Sequence, residues 1–255
     1  MKRILTALVL IPAATYVILW ANYWVFLFVL MAVALLCYHE YAGIAEGYGF
    51  GALSPVGYGA GVVLLVWQGE AWPLITVVAL AALALAMRDD DLSKALPRSA
   101  LLLFGVVYVF GCWKWAMPVR EANRHWLMYS LLLNWAGDSG AYYIGRVFGK
   151  HKMARRISPK KSWEGAAASA VTAVLVGGAY IFRFIPGETV AHAIVLTIVA
   201  NAAGQLGDLA ESAIKRGGSV KDSSGILPGH GGFLDRVDST LFTLPVIYLW
   251  IKLVG

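Results

Sequence analysis

Charged residues and cysteines are scarce in this sequence. Only 14% of the 255 residues are charged, and cysteine occurs twice, at Cys37 and Cys112. Soluble domains average about 25% charged residues, so an ordinary water-soluble domain is excluded. Both cysteines lie in apolar runs and form no Cys-x-x-Cys pair, which excludes a disulfide framework and a cysteine zinc site. We expect both to be small packing residues.

Most residues of the chain are apolar. They make up 59% of the chain, and the mean hydropathy is +0.67. Because a membrane-spanning helix needs about 20 apolar residues, the sequence predicts an all-α, polytopic membrane protein with about nine transmembrane helices. The predicted spans are 4–20, 23–38, 52–68, 72–87, 99–117, 126–145, 164–184, 190–213 and 236–254. The first is interpreted as an uncleaved span, since a second apolar run follows almost at once.

The basic residues predict how these spans are oriented. With nine spans, sixteen of the 21 Lys and Arg residues fall on the same side of the membrane as the N-terminus. Since cytoplasmic loops are rich in Lys and Arg, the N-terminus is predicted to be cytoplasmic and the C-terminus to lie outside. The net charge of +6 is attributed to this asymmetry and to phosphates or anionic lipids, and no nucleic-acid partner is expected.

Polar residues concentrate in the second half of the chain. We therefore predict N-terminal transmembrane helices over residues 1–130 and a catalytic transmembrane region over 131–255, with cytoplasmic loops at 146–163 and 214–235. The small-residue stretch 165–170 would pack spans within one chain, or between the two chains of a homodimer.

A polar stripe lies on the predicted span 190–213 and its continuation. Asn201, Gln205, Asp208, Ser212 and Lys215 are spaced by three or four residues, which places them on one helical face. A carboxylate in a membrane span is costly unless it is paired, hydrated or metal-bound. A polar seam between helices is the alternative interpretation. Because the stripe ends in Asp, Ser and Lys at a cytoplasmic mouth, we predict a functional site.

Two carboxylates begin the last predicted span. Asp235 and Asp238 share a helical face and suit a hard cation such as Mg²⁺; the alternative is that Asp235 caps the helix. The loop before them is rich in Gly, Lys and Arg and predicts phosphate binding, although it is not a Walker loop. Within it, His230 is either a ligand contact or a structural hydrogen-bonding residue.

A third polar element covers the predicted sixth span and the loop that follows it. Asn134, Asp138 and Tyr142 recur every four residues in an otherwise apolar span. In the loop, Lys160 and Lys161 lie beside a proline and a tryptophan, which indicates a more specific role than orientation. The remaining basic residues of the loop are explained either by orientation or by substrate binding: Lys150, Lys152, Arg155 and Arg156.

Specific motifs occupy the same regions. From Ser212 the chain reads Ser-Ala-Ile-Lys-Arg, then Lys-Asp at 221–222, then Leu-Pro-Gly-His-Gly-Gly-Phe-Leu-Asp-Arg-Val-Asp up to Asp238. With all its fixed residues present, this segment resembles the signature of the phosphatidate cytidylyltransferases (CDP-diacylglycerol synthases). Asp-Ser-Gly-Ala-Tyr from Asp138 and Ser-Pro-Lys-Lys-Ser-Trp-Glu-Gly from Ser158 also resemble the family, with Ser162 where many members have Thr. The first 130 residues resemble it only as apolar spans.

The resemblance implies transfer of a cytidylyl group from CTP to phosphatidate (phosphatidic acid) in the bilayer, giving CDP-diacylglycerol and pyrophosphate. It also implies a multi-pass protein of a bacterial inner (cell) membrane. Asp208 and Asp235 are expected to be Mg²⁺ ligands, and Ser212, Lys215 and Asp238 to complete the catalytic group. The residues expected to bind substrate are Asp138, Ser158, Lys160, Lys161, Arg216, Lys221, Asp222, His230 and Arg236.

Two other functions would share part of this pattern. A CTP-dependent lipid enzyme of the polyprenol kinase type would share the nucleotide and metal chemistry, but it would lack the run from His230 to Asp238. A secondary transporter also carries carboxylates within the membrane, but it usually shows internal repeats, and the polar residues here crowd one half of the chain.

Overall fold

The structure, a computed structural model, describes residues 2–50, 55–88 and 90–254. By its packing the chain divides into two units. Unit 1 comprises Met1–Leu8, Asn22–Lys114 and Ile214–Arg236, and unit 2 comprises Val9–Ala21, Trp115–Ala213 and Val237–Gly255. Each unit is therefore assembled from segments that are far apart in sequence. The predicted boundary at residue 130 divides the chain by function and stays a prediction.

Ten α-helices are found in the described residues. They are α1 (Lys2–Leu19), α2 (Tyr23–Ala45), α3 (Val56–Val66), α4 (Ala71–Ala86), α5 (Ala95–Gly105), α6 (Ala116–Ala122), α7 (Arg124–Phe148), α8 (Trp163–Phe184), α9 (Val190–Gly217) and α10 (Leu234–Val254). Short π-helical segments extend α2 (Glu46–Phe50) and α5 (Val106–Gly111), and a 3₁₀ turn, Leu92–Lys94, precedes α5.

Side-chain caps fix where several of these helices begin. The side chain of Asn22 accepts a hydrogen bond from the Val25 amide (2.9 Å) before α2. Asn123 caps α7 in a similar way, and the Ser162 hydroxyl accepts a hydrogen bond from the Gly165 amide (3.2 Å) at the start of α8. Asn and Ser are preferred here because their side-chain oxygens satisfy amides that lack a partner in the first turn.

The nine predicted spans fall on helical segments of different lengths. Five segments of the described chain are long and apolar enough to cross a membrane: Tyr23–Phe50, Leu92–Ala122, Trp163–Phe184, Val190–Gly217 and Leu234–Val254. The apolar helices Leu8–Leu19, Val56–Val66 and Ala71–Ala86 are shorter. The chain is thus a helical, multi-pass membrane protein, and the number of nine spans stays a prediction. The first residues of the predicted span 52–68 lie outside the described residues.

The predicted cytoplasmic loop 146–163 contains a hairpin that the sequence patterns did not reveal. Two short antiparallel strands, β1 (Lys152–Ala154) and β2 (Ser158–Ser162), follow α7. Lys152 pairs with Ser162, and Ala154 pairs with Ser158, with an irregular register between the two pairs. The predicted all-α class describes the membrane helices, and this hairpin is an addition to it.

An aromatic cluster forms the core of unit 1. Tyr38 and Tyr41 on α2 are at most 2% exposed. The Tyr38 ring lies 5.4 Å from Phe110 and 4.8 Å from Tyr58, measured between ring centroids. A side chain at Gly61 would overlap the Phe110 ring, so glycine lets α3 approach it. This packing holds α2, and the side chains that α2 carries, in a fixed position within unit 1.

Small residues bring α7 and α8 together in unit 2. A Cβ atom at Gly137 would lie only 2.5 Å from the Ser169 hydroxyl, and one at Gly140 would overlap Thr172. Further along, a Cβ atom at Gly145 would lie 3.4 Å from the α-carbon of Gly165. Close approach through small residues is typical of membrane helix pairs. The stretch 165–170 therefore packs spans within one chain, which is one of the two uses predicted for it.

Large apolar side chains lie on the outside of both units. Phe28 in unit 1 is 73% exposed, and Leu175 in unit 2 is 67% exposed. Such side chains are unfavourable in water when they form large patches, but they suit contact with lipid tails. The exposed apolar surface agrees with the multi-pass membrane fold.

Candidate functional site

Asp235, in the first turn of α10, is surrounded by hydrogen-bond donors within unit 1. Its Oδ1 atom contacts the ammonium group of Lys215. Its Oδ2 atom accepts hydrogen bonds from the Ser223 amide (2.9 Å), the Ser223 hydroxyl (3.0 Å) and the Gly232 amide (2.8 Å). The side chains of Lys215 and Asp235 are only 10% and 5% exposed. Both residues were predicted as catalytic, and the structure brings them together across twenty positions of sequence.

Glu40 on α2 is a buried carboxylate that is absent from the residues predicted above. It is 2% exposed. Its Oε1 atom accepts hydrogen bonds from the Ser224 hydroxyl (2.7 Å) and the Phe233 amide (2.9 Å). Its Oε2 atom accepts from the Leu234 amide (2.7 Å) and lies 3.0 Å from the Ser223 hydroxyl, whose single proton it shares with Asp235. The predicted span ends at residue 38, so the apolar pattern places Glu40 beyond it, whereas the structure continues α2 to Ala45 and buries the carboxylate.

Two glycines of the loop make room for these carboxylates. Gly231 has a φ of +79°, a backbone conformation that favours glycine, and a side chain there would overlap the carboxylate of Asp235. A side chain at Gly232 would overlap the carboxylate of Glu40 and the hydroxyl of Ser223. The glycines were predicted to admit phosphates, and these two are required by the protein's own carboxylates.

The other predicted substrate-binding residues of unit 1 are mostly exposed. Lys221, Asp222 and Arg236 reach the surface, and so does Arg216, which donates a hydrogen bond to a loop carbonyl (3.0 Å). His230 is half-buried. Its Nδ1 atom is buried and makes no hydrogen bond within the described chain. The exposed cations are therefore available to phosphates. Within the described residues, Nδ1 of His230 makes no hydrogen bond that would give the ring a structural role.

Asp208 on α9 forms an ion pair with Lys161 on β2 within unit 2. The Nζ atom of Lys161 lies 2.7 Å from Oδ2 of Asp208. The hydroxyl of Ser212, one helical turn along, donates a long hydrogen bond to Oδ1 (3.4 Å). Because side chains alternate along a strand, Lys161 turns inward, whereas Lys160 is exposed. The hairpin is thus the element that carries Lys161 to Asp208, while Ser158 begins its second strand.

The N-terminal part of the predicted polar stripe packs α9 against α8. The amide group of Asn201 donates a hydrogen bond to the Ser169 hydroxyl (3.0 Å). The amide group of Gln205 donates to the side chain of Asn201 (2.6 Å) and to the Ala166 carbonyl (3.3 Å). Asn201 and Gln205 therefore form a polar seam between helices, which was the alternative to a functional site for this part of the stripe. The ionic chemistry in unit 2 begins one turn further along, at Asp208.

Polar side chains also link α7 and α10 within unit 2. The amide nitrogen of Asn134 lies 3.4 Å from the hydroxyls of Thr240 and Thr243. Asp138, one turn along α7, is exposed, and Asp238 on α10 is half-buried. The Oδ1 atom of Asp238 accepts a hydrogen bond from the next amide of the chain (2.7 Å). Asn134 therefore serves packing, whereas Asp138 is accessible, as a nucleotide contact requires.

An open pocket in unit 2 collects basic residues that the sequence explained either by orientation or by substrate binding. It has a volume of about 720 Å³ and is lined by Lys150, His151, Lys152, Arg155, Trp163, Glu164 and Ala167. Within this lining, Nδ1 of His151 lies 2.5 Å from Oε1 of Glu164. The net positive charge of this lining suits an anionic group.

The carboxylates differ in how well they suit a metal ion. Within the described chain, no three His, Cys, Asp or Glu side chains form a cluster that could hold one. The side chain of Asp208 is 33% exposed, and its Oδ1 atom accepts a long hydrogen bond from Ser212 (3.4 Å), so a hard cation can reach an oxygen atom there. Both oxygens of Asp235 are occupied, and the residue would first have to release Lys215. Asp208 fits a Mg²⁺ ligand, and Asp235 as a ligand stays a prediction.

Residues 1–254 match the model of the Cytidylyltransferase family. The chain is similar to the phosphatidate cytidylyltransferase of Bacillus subtilis, with 38% identity over 60% of this chain and 58% of the relative. It is similar to that of Staphylococcus haemolyticus, with 40% identity over 58% of this chain and 57% of the relative. For that of Staphylococcus aureus the identity is 34%, over 73% of this chain and 75% of the relative. The chain thus spans a little over half the length of the first two relatives. The chain belongs to the cytidylyltransferase family.

Proposed function

We propose that the chain transfers a cytidylyl group from CTP to phosphatidate, giving CDP-diacylglycerol and pyrophosphate. Membership of the family and the printed names of the relatives support this activity. The observation that carries the proposal is the segment 212–238, which holds the signature residues and folds around the Lys215–Asp235 ion pair. A buried ion pair beside exposed cations is an arrangement that can hold and orient phosphate groups.

The reaction requires charge stabilisation more than a protein nucleophile. A phosphate oxygen of phosphatidate forms a bond to the α-phosphorus of CTP, and the bond from that phosphorus to the oxygen bridging the β-phosphate breaks. The electron pair leaves with pyrophosphate. Because both substrates are polyanions, positioned cations and N–H groups supply most of the catalysis.

Each unit offers side chains for this work. In unit 1 the ammonium group of Lys215 is held in place by Asp235, and Arg216 and Lys221 are exposed. In unit 2, Lys160 is exposed and Lys161 is paired with Asp208. We assign these cations to substrate phosphates. Ser212 and Asp238 complete the proposed catalytic group. The remaining proposed substrate contacts are Asp138, Ser158, Asp222, His230 and Arg236.

The proposal includes a divalent cation such as Mg²⁺. When bound, this cation would neutralise phosphate charge as pyrophosphate leaves. Asp208 supports it best, since its carboxylate is partly exposed and hard cations prefer oxygen ligands. Asp235 would join it only after turning from Lys215, and its present contacts support a role in holding that lysine.

The membrane arrangement in the proposal follows from the lipid substrate. Phosphatidate would enter from the bilayer and CTP from the cytoplasm. We therefore propose nine spans with a cytoplasmic N-terminus, in a bacterial inner membrane, with the loops 146–163 and 214–235 on the cytoplasmic side. The asymmetry of Lys and Arg residues supports this orientation.

One labelling experiment tests the activity and separates it from a kinase. Purified protein is incubated with phosphatidate, Mg²⁺ and CTP labelled at the α-phosphate or, in a parallel sample, at the γ-phosphate. We expect the α-label to appear in a lipid that co-migrates with CDP-diacylglycerol and the γ-label in pyrophosphate. In a further sample, a polyprenol replaces phosphatidate. Transfer of the γ-label to that lipid would instead indicate a CTP-dependent kinase. No labelled lipid in either sample would reject the proposal.

A further inference from the structure

Glu40 is a carboxylate in an apolar helix, and its burial requires an explanation. The segment Tyr23–Phe50 is among those apolar enough to cross a membrane, and Glu40 is 2% exposed within it. A charged group in such surroundings is strongly unfavourable without partners. Two backbone amides and the Ser224 hydroxyl, together with the Ser223 hydroxyl that it shares with Asp235, provide those partners.

The two backbone amides are those of Phe233 and Leu234, where α10 begins. The first amides of a helix have no partner within the helix, and a negative charge near them is favourable because of the helix dipole. Glu40 therefore caps α10 from a helix about 190 residues earlier in the sequence. Asp235, with its contact to Lys215, is the next residue after this cap.

The same helix also contacts the other end of the segment 214–234. The Tyr48 hydroxyl donates a hydrogen bond to the Ile214 carbonyl (2.9 Å). Gly47 lies against the backbone of Gly218 so closely that a side chain there would overlap it. Tyr48 lies in the π-helical extension of α2, eight residues after Glu40. α2 and its extension thus contact both ends of the segment.

Ser223 connects this contact to the predicted catalytic group. Its hydroxyl lies 3.0 Å from Oε2 of Glu40 and 3.0 Å from Oδ2 of Asp235. Its amide donates to Asp235 as well (2.9 Å). A displacement of Glu40 would therefore move the donors that hold Asp235, and Asp235 in turn holds Lys215.

From these contacts we propose that Glu40 is a positioning residue for the cytidylyl transfer: it fixes the segment 214–234 and thereby the Lys215–Asp235 pair. The inference rests on the proposed function. Glu40 contacts the loop and the start of α10, and it acts through them. Since a misplacement of about 1 Å can cost about 100-fold in rate, loss of this contact should reduce kcat even when the protein remains folded.

The first test is Glu40→Gln, which keeps the size of the side chain. Glutamine has one oxygen where glutamate has two, so its NH₂ group would face one of the two backbone amides. Serine hydroxyls can rotate to accept a hydrogen bond, whereas amides cannot. We expect kcat/KM for CTP to fall about 10- to 100-fold. The matched control is Glu46→Gln, in the same segment but exposed, which should change kcat/KM less than twofold.

Hydrogen exchange keeps the test independent of the activity. In Glu40→Gln, the amides of the segment 214–234 should exchange at least tenfold faster, while the α7–α8 pair is unchanged. If the unchanged protein makes no CDP-diacylglycerol, the proposed function fails, and exchange still decides whether Glu40 holds the segment. Normal exchange in the segment, or full activity despite faster exchange, would overturn the inference.

A second variant covers the case in which Glu40→Gln does not fold. Ser224→Ala removes one donor to Glu40, from a half-buried position in the loop. We expect a three- to tenfold loss in kcat/KM, with little change in thermal stability. Where Glu40→Gln does fold, Ser224→Ala combined with it in a double-mutant cycle should add less than its separate effect, because both variants remove the same contact. Full additivity, or a silent Ser224→Ala, would contradict the role of Glu40.

Discussion

Replacing Asp235 with asparagine tests whether the carboxylate holds Lys215. Three of its four donors, the Ser223 amide and hydroxyl and the Gly232 amide, converge on Oδ2. The single oxygen of asparagine would therefore stay with those donors. Its NH₂ group would then face the ammonium group of Lys215, which is a donor as well. The change thus acts mainly on Lys215.

The expected magnitude follows from the burial of the pair. Removing one partner of a buried ion pair costs about 3–5 kcal/mol, because the other charge loses its counter-ion. We expect a loss at the lower end, about 3 kcal/mol, because Lys215 has contacts besides that with Asp235. For a chain of this size that corresponds to a fall in Tm of about 6–12 °C. We expect cytidylyl transfer to fall at least about 100-fold as Lys215 moves.

The assay combines thermal unfolding of the purified protein in detergent with transfer of label from CTP at saturating Mg²⁺. The matched control is Asp91→Asn, in the same unit, because Asp91 is exposed and asparagine also caps the 3₁₀ turn that follows. Its Tm should change by no more than about 1–2 °C. A fall in Tm for Asp235→Asn as small as in the control, or substantial activity, would refute this reasoning.

Three further variants or measurements test the other assignments. Asp208→Asn keeps the volume of the side chain but removes the charge that a hard cation needs. The variant should fold but have no turnover. Substantial activity at saturating Mg²⁺ would show that Asp208 is not a metal ligand. Lys215→Arg should lose most activity because a guanidinium does not replace an ammonium in a confined site, whereas Lys152→Arg should be nearly neutral. Equal, small effects in the two variants would remove Lys215 from phosphate binding. Cysteines placed at Lys150 and Lys252 should be labelled from opposite sides of sealed vesicles; labelling from one side would reject nine spans.

Motifs in the sequence pointed to Lys215 and Asp235 in unit 1, but they did not show that the two side chains pair. Lys215 and Asp235 both belong to the signature-like segment, and their chemistry was predictable from residue type. Their direct contact depends on the fold of the loop between them, which carries no periodic pattern. Glu40 lies just beyond the predicted span 23–38, so its burial could not be predicted from the apolar pattern. Its partners could not be predicted either, because a single sequence does not show which distant segments meet.

In unit 2 the sequence predicted the polar stripe but not how it divides. Helical spacing placed Asn201 and Asp208 on one face, and both do lie on α9. What separates their roles is the neighbouring element: Asn201 meets α8, whereas Asp208 meets the hairpin. The hairpin was not predicted, since its strands are short and one contains a proline, which strands usually exclude. Hence Lys161 was predicted as a phosphate ligand but not as the partner of Asp208.

The contact of Glu40 with α10 has a consequence for the biogenesis of the protein. Ser223 and Leu234 follow Glu40 by 183 and 194 residues. At about 5–20 residues per second, the ribosome needs on the order of 10–40 s to supply them after Glu40. During this interval the carboxylate has none of its four donors, and an unpaired buried charge is strongly unfavourable. We therefore expect the C-terminal end of α2 to remain hydrated until the last helix is synthesised.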